Sequence, residues 1–176
     1  MREFLQTDRL LLRRPKLSDA STLAKNFNNP DIARMTGTMP YPYFTRAADF
    51  WIYNKTAQWQ AKQSFAYVIT NQQEFMGVID IFTNGHGDRE LGYWIGEPYW
   101  GHGYITEAAN AILSEGFKSL GVDYIDAGYF TDNPASGRVL GKLGFMSRNF
   151  ESNIYCVARG CRFPGIELRL MRDAFV

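Results

Sequence analysis

Composition and charge limit what kind of protein this chain can be. Its 176 residues are 45% hydrophobic and 15% aromatic, which is typical of a folded domain rather than a disordered segment. The 19 basic and 18 acidic residues leave a net charge of +1, so there is no basic excess of the kind that binds nucleic acid. No apolar run is long enough to cross a bilayer, and the first residues lack a signal-peptide pattern. We therefore expect a single cytoplasmic domain over residues 1–176, without membrane or nucleic-acid partners.

The cysteines and histidines do not indicate a metal site. Cys156 and Cys161 are five residues apart, and His86 and His102 lie far from them in the sequence. This spacing does not match a zinc ligand set. We expect both thiols to be reduced and no metal to be bound.

The first part of the chain predicts one strand, one helix and a stiff loop. A leucine-rich run over 9–14 predicts a strand that Pro15 ends. A helix is expected over about 19–28, with Ser18 as its N-cap. Two prolines and three aromatic residues make 35–44 an irregular loop.

The middle of the chain predicts a second helix and then three strands. The helix runs from Thr45 to about residue 61. One side of this helix carries Phe50, Trp51, Asn54, Ala57 and Gln58, and this side is amphipathic but not strongly apolar. The strands cover 65–70, 75–82 and 91–95, with turns at 71–74 and 84–88. Turns of this length join neighbouring strands, so an antiparallel meander is predicted.

The last part of the chain alternates helices and strands. Apolar residues at helical spacing predict a helix over 105–120 that Gly121 ends. A strand follows over 122–130, and then a short helix opened by Asn133 and Pro134. Two more strands are expected near 150–158 and 165–172. The whole chain is thus predicted to be an α/β (α+β) domain in which helices flank a mixed sheet.

A glycine-rich turn between the third meander strand and the next helix favours a phosphate site. The turn contains Gly96, Gly101 and Gly103. The first N–H groups of a helix have no partner within the helix, and the helix dipole adds positive charge there. Glycines let the backbone approach a phosphate closely. The sequence therefore predicts a phosphorylated cofactor, and the alternative is a plain strand–turn–helix connection without a ligand.

Two stretches resemble the cofactor motifs of the GCN5-related N-acetyltransferases. Glu90 to Gly96 with Trp100 to Ala108 resembles the first motif, and Asn133 to Phe145 resembles the second. With the opening Thr7 to Arg13, the resemblance covers nearly the whole chain and is closest to the branch that acetylates ribosomal-protein N-termini. Pro98 departs from the pattern, because the superfamily often has Gln or Arg there.

The resemblance implies a mostly antiparallel central sheet in which two neighbouring central strands splay apart. It also implies acetyl-CoA as co-substrate, with its pantetheine arm beside the strand before the turn and its pyrophosphate on the amides of the turn. The expected cofactor contacts are Tyr93, Trp94, Ile95, Trp100, Gly101, His102, Gly103, Tyr104, Ile105, Thr106, Asn133, Arg138 and Lys142.

Acetyl transfer to an amine needs a base, because a free amine is protonated near neutral pH. Glu90, just before the cofactor strand, is the candidate general base, acting directly or through water. Its alternative role is that of an ordinary glutamate on a strand edge. The resemblance places the Ser136 hydroxyl near the sulfur of CoA, where it would be the proton donor, with Tyr129 as a rival. The alternative for Ser136 is a polar residue in the first turn of a helix.

The acceptor site is expected at the second helix and the loop before it. Tyr41, Tyr43, Phe44 and Trp51 are the candidates for lining it, and core packing is the alternative for each. We predict an acetyl-CoA-dependent N-acetyltransferase in which a primary amine attacks directly in a ternary complex. The amine belongs to a protein N-terminus, such as that of a ribosomal protein, or to a small molecule. A non-catalytic acyl-CoA sensor is the alternative, and the aromatic surplus is compatible with a homodimer.

Overall fold

An eight-stranded sheet with helices on both faces forms the protein. The computed structural model describes residues 1–71 and 74–175, and for residues 149–151 it describes the backbone only. The strands are β1 (Phe4–Gln6), β2 (Leu11–Arg13), β3 (Ser64–Asn71), β4 (Glu74–Thr83), β5 (Arg89–Ile95), β6 (Tyr124–Phe130), β7 (Met146–Cys156) and β8 (Cys161–Met171). The helices are α1 (Ala20–Phe27), α2 (Pro30–Ala33), α3 (Thr45–Gln60), α4 (Tyr104–Leu120) and α5 (Pro134–Lys142).

The strand order across the sheet is β1-β2-β3-β4-β5-β6-β8-β7. The strands β3, β4 and β5 form the predicted antiparallel meander, which is confirmed. The tip of its first turn, residues 72–73, lies outside the described residues. The only parallel pairing in the described sheet joins β5 to β6, because α4 crosses over between them.

The predicted splay lies between β5 and β6 and is confirmed. These strands pair at two positions only, Glu90 with Asp126 and Leu91 with Ala127. Beyond Leu91, β5 continues to Ile95 and stays paired with β4 alone. The strands therefore open a gap that points toward the glycine-rich turn and the start of α4.

Two apolar layers cover the two faces of the sheet. Alternate strand residues point to opposite faces, so both faces of β3 and β4 are buried. On one face, α4 buries Ile112 and Leu113 against the sheet, and α5 adds Leu140. On the other face, α1 and α3 pack their buried residues, including Phe27 and Ile52, around Trp94. The sheet, with its gap between β5 and β6, thus lies between two separately packed layers.

Several local predictions were wrong. Ser18 is not a helix N-cap, because it lies in a short 3₁₀ turn, Leu17–Asp19, that leads into α1. The Asp19 carboxylate accepts the Lys16 N–H at 2.7 Å and pairs with Arg13, which fixes that turn instead. Residues 30–33 form the short helix α2, with Pro30 in its first turn, where only a break was expected. The strand β1 was not predicted.

The buried residues of α3 do not belong to the set that the sequence pattern groups on one side of this helix. The buried residues of this helix are Ala48 and Ile52, whereas the side chain of Phe50 is 67% exposed. The reason is that α3 carries apolar and aromatic residues all around its circumference, so periodicity does not identify the inner side. Among the described helices, none has the length and apolar character needed to cross a bilayer.

Candidate active site

The glycine-rich turn presents uncapped amides at the start of α4. Gly101 and Gly103 have φ angles of +78° and +77°, a region that other residues enter only with strain. Gly103 is the N-cap of α4 and, because glycine has no side chain, it accepts no hydrogen bond from the N–H groups of the first turn. The N–H groups there remain available to an anion, and the helix dipole favours negative charge at this end.

Side chains around the turn have different surroundings. The Trp100 indole Nε1 donates to the Ile95 carbonyl at 2.8 Å, and the His102 ring stacks on Tyr104 with centroids 5.6 Å apart. Ile105 is buried in the core, so only its backbone can serve a ligand. Thr106 is half-buried in the first turn of α4. The turn is therefore a backbone site more than a side-chain site.

The free edge of β5 faces the splay. The Gly96 N–H donates to the Met76 carbonyl of β4 at 2.8 Å. Because backbone groups alternate between the two edges of a strand, those of Ile95 and Tyr93 point to the other edge, toward β6. The Ile95 carbonyl accepts the hydrogen bond of the Trp100 indole N–H, and an extended ligand could pair with the main chain of Tyr93. The Trp94 side chain points into the core, where its ring meets Phe27.

The start of α5 meets Tyr93 across the gap. Asn133 caps the helix, since its Oδ1 accepts the Ser136 N–H at 3.2 Å. Ser136 is 9% exposed, and its Oγ lies 2.8 Å from the Tyr93 hydroxyl. Burial raises the pKa of Tyr93 to about 12, although the hydrogen bond with Ser136 acts in the opposite direction. Tyr93 therefore stays protonated at neutral pH, and the two hydroxyls form a hydrogen-bonded pair.

The rival acid, Tyr129, supports the same helix. A Cβ added at Gly137 would lie 2.8 Å from Cζ of the Tyr129 ring, so a larger residue there would push the ring aside. Arg138 and Lys142 are exposed, four residues apart on α5. They lie on the same side of the helix and have no described contact with the turn before α4.

Glu90 lies at the closed end of the splay. Its Oε2 accepts from Asn84 Nδ2 at 3.2 Å, and it stands opposite Asp126 in the register of β5 and β6. Burial raises the pKa of Glu90, and the nearby charges of Asp126 and Glu167 raise it further. The hydrogen bond from Asn84 and the nearby His86 act against this shift. A raised pKa brings a carboxylate closer to the proton affinity that a general base needs near neutral pH.

Two arginines pair with Asp126 beside Glu90. Arg169 donates two hydrogen bonds to its carboxylate, at 2.7 and 2.9 Å, and Arg148 approaches within 3.4 Å. The Arg169 guanidinium carbon lies 3.4 Å from the centroid of the Tyr124 ring. The proximity of the Asp126 carboxylate is one reason why the pKa of Glu90 is raised.

A polar cavity of about 320 Å³ lies between α3 and the strands β3 and β4. It is lined by Lys55, Gln58, Gln63, Ser64, Phe82, Thr83 and Asn84. The Lys55 ammonium bonds Asp80 at 2.5 Å and Ser64 at 2.9 Å. Within the described part of the chain, the buried Gln58 Oε1 has no hydrogen-bond partner. Asn84 lines the cavity and also bonds Glu90, so it connects the cavity with the candidate base.

Sequence reasoning missed most of this cavity. Asp80 carried a signal, because a charged residue in the middle of an otherwise apolar strand needs a partner. The partner, Lys55, comes from α3 at a separation of 25 residues, and no local pattern predicts such a pairing. Asn84 was predicted only as part of a turn.

The predicted acceptor aromatics separate into three groups. Tyr43 is 2% exposed and belongs to the core, where its N–H donates to Asn28 Oδ1 at 2.7 Å. Tyr41 and Phe44 are exposed on the loop before α3. Trp51 is half-buried, and its ring centroid lies 5.8 Å from the Lys55 ammonium, which places it near the cavity. In the described residues, no cluster of His, Cys, Asp or Glu could hold a metal ion.

Comparisons with known proteins show that this chain is similar to acetyltransferases. The family description "Acetyltransferase (GNAT) domain" matches residues 9–146, so the chain belongs to the GNAT acetyltransferase family. YoaA of Bacillus subtilis (strain 168), described as an uncharacterized N-acetyltransferase, is 29% identical over 171 residues, which cover 88% of this chain and 96% of YoaA. The N-acetyltransferase p20 of Bacillus licheniformis, also uncharacterized, is 29% identical over 147 residues, or 81% of this chain and 82% of p20.

Solved structures share the fold at low identity. RimL, a ribosomal L7/L12 alpha-N-protein acetyltransferase in complex with coenzyme A, has a TM-score of 0.86 and 18% identity, covering 98% of this chain and 99% of RimL. MccE, a microcin C7 self-immunity acetyltransferase in complex with acetyl-CoA and AMP, has a TM-score of 0.80 and 18% identity, covering 94% of this chain and 93% of MccE. The mixed sheet with its splay is therefore the fold of GNAT proteins, as the sequence motifs predict.

Proposed function

We propose that the protein is an acetyl-CoA-dependent N-acetyltransferase that acts on a primary amine. The observation that carries this proposal is the parallel pair β5 and β6, which separates after two pairings beside the uncapped start of α4. A long, partly peptide-like cofactor with a diphosphate fits such a gap. The similar proteins RimL and MccE were solved with coenzyme A and acetyl-CoA, respectively, which supports the same cofactor here.

The cofactor contacts follow from the geometry of the turn and the free strand edge. The amides from Trp100 to Thr106 would hold the diphosphate, and the main chain of Tyr93 and Ile95 would pair with the pantetheine arm. Arg138 and Lys142, on the exposed side of α5, are proposed to meet the nucleotide phosphates. Bound acetyl-CoA would supply the thioester that the acceptor amine attacks.

The residues around the splay would move the protons of the reaction. Glu90 would take a proton from the acceptor ammonium, directly or through water, so that the nitrogen can attack. A backbone N–H on the free edge of β5 would stabilise the negative charge that develops on the carbonyl oxygen. Ser136 would donate a hydrogen bond or its proton to the departing sulfur, and the second proton that the nitrogen loses as the amide forms would restore the serine hydroxyl. Tyr93 would orient Ser136, because its hydroxyl lies 2.8 Å from Ser136 Oγ.

The acceptor is proposed to reach Glu90 from the side of α3. Asn84 bonds Glu90 and lines the polar cavity, so a substrate group in the cavity would lie close to the base. Gln58 Oε1, which has no partner in the described residues, would accept a hydrogen bond from the substrate. A protein N-terminus and a small polar amine both offer such donors.

A turnover assay with an amine panel tests the proposal. The panel contains peptides with a free N-terminus, the same peptides with a blocked N-terminus, polyamines, amino acids and aminoglycosides. We expect acetyl-CoA-dependent acetylation of at least one free amine and none of the blocked peptides. Binding of acetyl-CoA without turnover of any amine would instead support the non-catalytic sensor.

A further inference from the structure

The N-terminal turn contacts the first turn of α4 through one carboxylate. Glu107 Oε1 accepts from Thr7 Oγ1 at 2.6 Å and from the Arg9 N–H at 2.9 Å. Glu107 Oε2 accepts from Arg9 Nε at 2.6 Å. Burial tends to raise the pKa of Glu107, but the hydrogen bonds from Thr7 and Arg9 outweigh it and lower that pKa. Glu107 is therefore ionised and fixes a segment almost a hundred residues away in the sequence.

The same arginine lies beside three consecutive residues where the glycine-rich turn leads into α4. Arg9 Nη1 donates to the His102 carbonyl at 3.1 Å. Its Nη2 lies 3.7 Å from the position that a Cβ would have at Gly103. The guanidinium carbon lies 4.6 Å from the centroid of the Tyr104 ring. Arg9 thus bridges the residue before the helix cap, the cap itself and the first helical residue.

The charge of Arg9 has an unusual position for a purely structural role. A cation near a helix N-terminus is unfavourable, because the dipole is positive at that end. Glu107 offsets part of this cost, yet the Arg9 side chain remains 48% exposed beside the uncapped amides. An anion bound at these amides would interact favourably with both the helix N-terminus and the Arg9 guanidinium. The position of the positive charge of Arg9 would then be favourable.

We propose that Arg9, held by Glu107, is a positioning residue for the diphosphate of the cofactor. It fixes the turn from His102 to Tyr104 and adds positive charge where the diphosphate binds. The inference rests on the proposed function, since it assigns a role within the same cofactor site. It also gives the opening motif, Thr7 to Arg13, a role in cofactor binding.

The chain contains a matched control for the test. Arg2 pairs with Glu115 in the same way, through its N–H at 2.9 Å and its Nε at 2.9 Å. Glu115 lies two turns further along α4, away from the glycine-rich turn. Arg2→Ala and Arg9→Ala therefore each remove an N-terminal ion pair with α4, but only Arg9→Ala touches the turn.

The experiment compares the affinity for CoA with that for pantetheine, which lacks the diphosphate and the nucleotide. Calorimetric titration of CoA and displacement by pantetheine are measured on the wild-type chain, Arg9→Ala, Arg9→Lys, Glu107→Gln and Arg2→Ala. We expect Arg9→Ala to raise the Kd for CoA at least tenfold, with an unchanged Kd for pantetheine. Arg9→Lys and Glu107→Gln should have smaller effects in the same direction, and Arg2→Ala none. Midpoints of thermal unfolding confirm that each variant is folded.

Two results would overturn the proposal. One is a Kd for CoA that stays within twofold of the wild-type value in Arg9→Ala, and the other is an equal loss of affinity for pantetheine, which would indicate general damage to the site. If the wild-type chain itself fails to bind CoA, the proposed function falls together with this inference. Wild-type binding with an unchanged Arg9→Ala variant overturns this inference alone.

Discussion

The proposed cofactor side and the proposed acceptor side of the splay are built in different ways. On the cofactor side, glycines with positive φ, an uncapped helix start and a free strand edge present backbone groups. On the acceptor side, Lys55, Asp80 and Ser64 form a side-chain cluster beside the cavity. Backbone sites suit a ligand that stays the same across a family, whereas side-chain sites can change with the acceptor. Glu90 lies between the two sides. Variants on the cofactor side should therefore change the affinity for CoA, and variants on the acceptor side should change the KM for the amine.

The largest effect is expected at Glu90. Replacing Glu90 by Gln keeps the size of the side chain but removes the base, so kcat should fall by about 10²–10⁴-fold. The wild-type rate should rise with pH as Glu90 loses its proton, at a higher pH than for an ordinary glutamate because burial raises its pKa. The variant should lack this limb of the pH–rate profile. An unchanged profile would mean that another group is the base.

The same substitution should stabilise the protein at neutral pH. Because folding raises the pKa of Glu90, this group favours the native state at pH values below its unfolded pKa, and the contribution is lost as the pH rises through the folded pKa. Glutamine resembles the protonated form at every pH. Thermal unfolding of Glu90→Gln at neutral pH should therefore occur above that of the wild-type chain, with the difference shrinking in acid. A lower midpoint at neutral pH would contradict the raised pKa.

Gly103→Val should disable the cofactor side alone. A β-branched residue at a φ of +77° is strained, and its side chain would project toward Arg9. We expect the Kd for CoA to rise by about 100-fold, roughly 2.7 kcal/mol of binding free energy, as measured by calorimetric titration. Gly121→Val is the matched control, because Gly121 has a φ of +66° at the other end of the same helix. It should lower stability in a similar way and leave the Kd for CoA unchanged.

Tyr93→Phe should have an intermediate effect on kcat. The variant keeps the ring and removes the hydroxyl that lies 2.8 Å from Ser136 Oγ. The loss of one orienting hydrogen bond is worth about 0.5–1.5 kcal/mol, so we expect kcat to fall by about threefold to tenfold while the Kd for CoA stays the same. Steady-state kinetics together with calorimetry separate the two quantities. In a chain that already carries Ser136→Ala, adding Tyr93→Phe should lower kcat little further. Fully additive losses in kcat would contradict the proposal that Tyr93 acts by orienting Ser136.

The smallest effect among these variants is expected from the cavity. Gln58→Leu removes the buried Oε1 that lacks a partner in the described residues, and it should raise the KM for the amine a few-fold because a hydrogen bond to the substrate is lost. The KM for acetyl-CoA should not change. Gln60→Leu, on the exposed end of α3, is the control. A rise in the KM for acetyl-CoA instead would place the cavity on the cofactor side.

The two sides also differ in how far the sequence predicts them. The glycine-rich turn, the periodic face of α4 and the cap at Asn133 are local features, so their residue types and spacing identify them. The cavity depends on contacts between distant segments, such as Lys55 with Asp80 and Asn84 with Glu90. Ser18 was predicted as a cap from its type, but the ion pair of Asp19 with Arg13 decides the local geometry. Tyr43 was proposed for the acceptor site, whereas the structure buries it beside Phe27.

The most direct test of the account is thermal unfolding with and without acetyl-CoA, with NAD and ATP as controls. A ligand at about 100 times its Kd adds about 2.7 kcal/mol to the free energy of unfolding. For a chain of this size, that raises the midpoint by about 5–10 °C. We predict this shift with acetyl-CoA and none with NAD or ATP. No shift with acetyl-CoA, or a shift with NAD or ATP in its place, would contradict the assignment of the splay and the glycine-rich turn to an acetyl-CoA site.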